Sequence, residues 1–159
     1  MTQEEKQLLL KDLCSRLPYH VICRVITFND GLYDRYVDDE LFSVSPESEE
    51  IQMYRGSKYN YPEEVKPYLR PMSSMTEEEV DELIAILNKQ CTGRVISKDN
   101  FELTSFGTLW FTNMKEYECV SVQLMAVVID YCNAHHFDYR GLIPMGLALE
   151  APEGMYEKF

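Results

Sequence analysis

The sequence predicts a single α+β domain over residues 1–159, with an antiparallel β-sheet packed against two or three helices. Two stretches, 3–17 and 76–92, repeat apolar residues at helical spacing behind capping signals. Between them lie short β-branched and aromatic runs separated by turn residues, the pattern of a β-meander. No internal repeat, low-complexity tract or linker interrupts the chain.

In residues 3–17, Leu9, Leu10, Leu13, Cys14 and Leu17 form the apolar face. Thr2 is placed to cap this helix, Glu5 completes a capping box, and Pro18 stops the run. Residues 20–28 read as a strand, and Asn29-Asp30-Gly31 reads as a hairpin turn. The chain returns antiparallel over 32–37, and Asp38-Asp39-Glu40 marks a turn or an edge. Two more strands are expected over 41–44 and 51–55, joined by the polar loop 45–50.

Residues 58–75 contain Pro62, Pro67 and Pro71 among Tyr59, Tyr61 and Tyr68. This spacing predicts an irregular segment with no long helix and no central strand. Thr76 then caps a second helix whose acidic first turn, Glu77-Glu78-Glu79, suits the helix dipole. Val80, Leu83, Ile84 and Leu87 form its buried stripe, and Gly93 ends it. A hairpin of 94–97 with 101–106 is expected, with a further strand at 109–111. Residues 121–134 carry Val122, Met125, Ile129 and Cys132 on one helical face. Val127 and Val128 widen that face, so a buried strand over 119–130 competes with the helix.

The formal net charge is −12, which weighs against a phosphate-facing nucleic-acid surface. The same charge disfavours anionic membranes and suits either a basic protein partner or plain solubility. The longest apolar run, 124–129, is too short to span a bilayer. Cys14, Cys23, Cys91, Cys119 and Cys132 are odd in number and form no C-x-x-C, which argues against a disulfide framework or a zinc ribbon. The opening Thr2-Gln3-Glu4-Glu5 lacks the basic and apolar regions of a secretion signal, so a reducing cytoplasm is the expected location.

Residues 129–159 are the one place where groups suited to chemistry crowd together. His135, His136, Asp138, Tyr139 and Arg140 are the candidate binding residues. Cys132 and His136 stand four apart, a spacing that can hold two metal ligands, but no second ligand pair is present. His with a carboxylate can also do acid–base work. However, no nucleophile elbow, H-E-x-x-H, P-loop or G-x-G-x-x-G accompanies the cluster. Asp138 also suits the N-cap of a short turn over 139–143, and histidines in a last helical turn can complement free carbonyls. No cofactor, metal or catalytic residue is assigned.

Several strings resemble an uncharacterised family of small acidic proteins from gut Bacteroidales genomes and their mobile elements. They are the opening from Met1-Thr2-Gln3-Glu4-Glu5-Lys6 to Leu17-Pro18-Tyr19, residues 66–79, residues 133–142 and residues 146–152, about a third of the chain. The resemblance implies a bacterial or phage-derived protein and carries over no activity, cofactor or site residue. The expected function is therefore a non-catalytic, acidic interaction or regulatory protein. Its surface would be the Tyr- and Pro-rich segment, with the 136–140 corner if the two lie together. The alternatives are a small hydrolase or transferase using His135, His136 and Asp138, or a small-ligand binding module.

Overall fold

The computed structural model describes residues 1–29, 34–90, 96–99, 101–103, 109–111 and 122–156. Helix α1, Gln3–Arg16, begins as the sequence predicts. The Glu5 amide donates to the Thr2 hydroxyl (3.2 Å), and the Thr2 amide donates to the Glu5 carboxylate (2.7 Å). Next come β1 (Ile22–Asn29), β2 (Asp34–Ser45), β3 (Glu50–Met53), β4 (Tyr59–Asn60) and β5 (Val65–Leu69). Helix α2 is Glu77–Gln90, and a two-strand unit follows, β6 (Phe101–Leu103) with β7 (Leu109–Phe111). Helix α3, Val122–Ala134, leads to the short strand β8 (Leu149–Glu150). The main sheet runs β4-β3-β2-β1-β5-β8; all its neighbours pair antiparallel except β5 and β8, which are parallel. The molecule is thus α+β with a mixed six-stranded sheet and three helices.

Three expectations change. Asp38-Asp39-Glu40 is neither turn nor edge but the middle of β2. Its charges are met across the sheet: Asp38 takes Arg24 (3.3 Å) and the Tyr68 hydroxyl (3.1 Å), and Asp39 takes the Arg55 amide (2.9 Å) and its Nε (3.1 Å). Pro67 does sit inside a sheet, in β5 between β1 and β8. It is tolerated there because the pairing with β8 starts only at Tyr68. The partner of 101–103 is 109–111 rather than 94–97; Ile96 and Ser97 lie in no strand, and 94–95 fall outside the described residues. For 119–130, the helix prevails from Val122 onward. The Asn29-Asp30-Gly31 turn lies largely outside the described residues, as does the Gly93 stop.

Two hydrophobic clusters hold the fold. In the first, Leu9, Leu10 and Leu13 of α1 pack on Cys23, Val25, Leu41, Ile51, Met53, Val65 and Leu69 of the sheet's inner face. In the second, Leu83, Ile84 and Leu87 of α2 meet Leu124, Val128, Tyr131 and Cys132 of α3, with Phe137 beside them. Between the clusters runs a backbone bridge. The Arg70 amide donates to the His136 carbonyl, and the Asp138 amide to the Arg70 carbonyl, both at 2.8 Å.

Candidate functional site

The end of α3 sets the stage. The Phe137 amide donates to the Cys132 carbonyl (2.8 Å) and the His136 amide to the Asn133 carbonyl (3.2 Å). His136 has φ +59°, so the helix closes in a Schellman motif with a histidine where glycine is usual. The reversal sends neighbouring side chains in different directions, and the five candidate residues separate.

His136 turns inward. It is 5% exposed, and its ring stacks on Tyr156 at 3.7 Å between centroids. Burial, and after it the nearby positive charge of Arg16, pushes its pKa down to about 3, so the ring is neutral at ordinary pH. Asp138 is also buried. Its two oxygens accept the Leu142 and Ile143 amides, each at 2.8 Å, so it secures a loop in the manner of a cap without heading a helix. Cys132 is buried, and burial pushes its thiol up to about 11, which disfavours the thiolate a nucleophile needs.

Tyr139 and Arg140 face α1. There Asp12 and Arg16, four apart and both fully buried, form an ion pair at 2.7 Å. The other end of Arg16 donates to the Phe137 carbonyl at 2.9 Å. Arg140 Nε lies 3.2 Å from Asp12 without hydrogen-bond alignment, so that contact is ionic. Tyr139 lies between the guanidiniums, 5.6 Å from Arg16 and 4.8 Å from Arg140. These groups join α1 to the C-terminal segment.

Of the five, His135 lines the cavity beside α2. It stacks on Tyr131 at 4.1 Å, with Glu79 at 3.6 Å from Nδ1 and Glu82 at 3.9 Å from Nε2. The cavity, about 660 Å³, lies between the start of α2 and residues 150–156. Its inner wall is Arg70, which binds both Glu79 oxygens (2.6 and 2.9 Å) and stacks 4.3 Å over the Phe137 ring. Burial opposes charge on Glu79. Hydrogen bonds from Arg70 and the Thr76 amide outweigh it and hold the carboxyl below the usual range. The outer wall carries Glu150 and Glu153, both exposed and with no ion-pair partner among the described residues.

Tyr156 anchors that outer wall. Its hydroxyl donates to the Tyr68 carbonyl (2.8 Å) and accepts the Ile22 amide (3.2 Å), linking β1 to β5 beyond their last paired residues. Sequence reasoning passed over Arg70 and Tyr156 as site residues, because neither stands in a motif. Asp12 and Arg16 carried a usable signal, because Arg16 falls on the helical face of Leu9 and Leu13.

Among the described residues, no group of three or more His, Cys, Asp or Glu side chains is arranged to hold a metal ion. Comparison with family models, curated proteins and solved structures returns no match.

Proposed function

We propose that this chain is a non-catalytic interaction protein that receives a basic segment of a partner protein in the groove between α2 and residues 150–156. The observation that carries this reading is the placement of charge. Glu150 and Glu153 line the groove from one side and Glu79 of α2 from the other. Glu77, Glu78, Asp81 and Glu82 stand beside Glu79 on the opening turns of α2. Arg70, which lines the groove, is already bound by Glu79, and Lys98 beside α2 lies 2.9 Å from Asp81 and 3.9 Å from Glu77. A Lys or Arg entering the groove would meet unneutralised carboxylates and the Tyr156 ring.

The wider reading stays bacterial or phage-derived and cytoplasmic, in line with the sequence resemblance. The unpaired thiols of Cys14, Cys23 and Cys132 support a reducing compartment. No helix among the described residues is long and apolar enough to cross a membrane. A small cationic ligand is the second reading, because the cavity volume lies in the range of small-molecule sites.

The test is calorimetric titration of a Lys- and Arg-rich peptide at rising salt. Binding should weaken as salt screens the groove. Glu150→Gln with Glu153→Gln should weaken it about tenfold. Glu4→Gln with Glu47→Gln, an equal charge change on exposed residues elsewhere, should leave it unchanged. Equal losses in the two double variants would reduce the groove to general charge attraction.

A further inference from the structure

The outer face of the main sheet carries large aromatic rings that are more than half exposed. Pairing of Ile26 with Tyr36, Leu41 with Met53 and Gln52 with Tyr59 fixes which side each strand residue takes. Cys23, Val25, Leu41, Ile51 and Met53 point into the core, so alternation turns Tyr36, Tyr54 and Tyr59 outward. Phe42 stands in the irregularity between Leu41 and Ser43, and its ring meets Tyr54 edge-on at 6.2 Å. Tyr36, Phe42, Tyr54 and Tyr59 are 53%, 57%, 69% and 56% exposed. At about 150–250 Å² a ring, they present on the order of 400 Å² of apolar surface. Apolar patches of several hundred Å² mark interaction sites.

The charges among these rings distinguish this face from the groove. Arg24 pairs with Asp38 at 3.3 Å, His20 with Glu40 at 2.5 Å, and exposed Lys66 stands opposite Arg24 on β5. Arg24 and Lys66 stand here against Asp38, Glu40 and Glu50, so the face is close to neutral although the whole chain carries −12. A basic partner would find little net attraction. A second copy of the same chain would find apolar area without the repulsion that the acidic α2 end imposes. We infer that this sheet face is the isologous interface of a homodimer. The rings supply about half of the roughly 800 Å² per partner that a stable interface buries, and the polar residues between them form the rest. This inference stands on the sheet alone and does not depend on the groove.

Sedimentation of the full chain over a range of concentration and salt tests it. A reversible dimer should form, and rising salt should strengthen it by screening the repulsion between two acidic copies. Salt therefore acts here in the opposite sense to its effect on peptide binding in the groove. Phe42→Ser with Tyr54→Ser, both at exposed positions, should raise the dissociation constant at least about tenfold while circular dichroism stays unchanged. Lys66→Glu should weaken the dimer through an added like charge, and Glu150→Gln with Glu153→Gln should not weaken it. A chain that stays monomeric at every concentration and salt would overturn the inference. So would a dimer that persists in the Phe42/Tyr54 variant or one that salt dissolves.

Discussion

His136 combines two costs in one position. Its backbone is left-handed, which costs a residue with a Cβ about 1–2 kcal/mol, and its ring is buried with Nδ1 unpartnered among the described residues. The stack on Tyr156 and the Schellman bonds offset these costs. The ring therefore links folding to pH. Its folded pKa of about 3 lies below the unfolded value of 6.5, so the unfolded chain binds the extra proton in between. The contribution of His136 to stability is complete above pH 6.5 and is lost as pH falls towards 3, with a slope of at most about 1.4 kcal/mol per pH unit. Glu79, held against burial below the usual carboxylate range chiefly by Arg70, adds its own loss only at the acid end, so the range from 6.5 to 4.5 isolates the histidine. Urea unfolding across that range should slope downward towards acid in the natural chain. The slope should be nearly flat in His136→Asn, which tolerates the left-handed backbone and does not titrate. An unchanged slope in the variant would assign the pH dependence to other groups.

At the scale of elements, the sequence was legible wherever a local rule had no rival. The Thr2 and Thr76 capping boxes and the stripe of Leu83, Ile84 and Leu87 formed as their spacing requires. It was illegible where a distant partner reverses a local preference. Asp39 looked like a turn residue, and inside β2 it is 5% exposed because Arg55, sixteen residues away, supplies both an amide and a guanidinium. Strand β8 is two residues long, and it is held by Leu69 and by Tyr156, neither of which announces a strand. The candidate site was half legible for the same reason. The crowding of His135, His136, Asp138, Tyr139 and Arg140 is visible in the chain, but a left-handed turn at His136 decides which of them share a wall. Asp39→Ala should strand the Arg55 amide and cost about 1–3 kcal/mol. Denaturant unfolding would record the loss, and hydrogen exchange should show the Arg55 and Tyr54 amides, just past β3, opening before those of β2. A loss well under that range would mean that water replaces the carboxylate.

For the whole molecule, the arrangement of the two hydrophobic clusters matters more than the size of either. The sheet with α1 forms one, α2 with α3 the other, and the groove runs along the seam. Polar groups cross that seam: the Arg70 backbone bridge, the Arg70–Glu79 pair and Arg16 bound to the Phe137 carbonyl. Apolar packing makes each side rigid, while directed bonds fix their relative position, so the two sides can differ in local stability. Arg70→Met tests this division. It keeps an unbranched apolar side chain but removes the guanidinium that lies over Phe137, leaving Glu79 half-buried and without its partner. The Glu79 carboxylate would then have to hold α2 through the Thr76 amide and whatever attraction His135 provides. Native-state hydrogen exchange should show the amides of α2 and α3 losing about 1–3 kcal/mol of protection while β1 and β2 keep theirs. The Arg70 amide bond to His136 should survive, because it belongs to the backbone. Equal loss of protection in the sheet and in the α2–α3 unit would mean that the clusters unfold as one cooperative body, and the groove would then be a fixed cleft rather than a seam between two units.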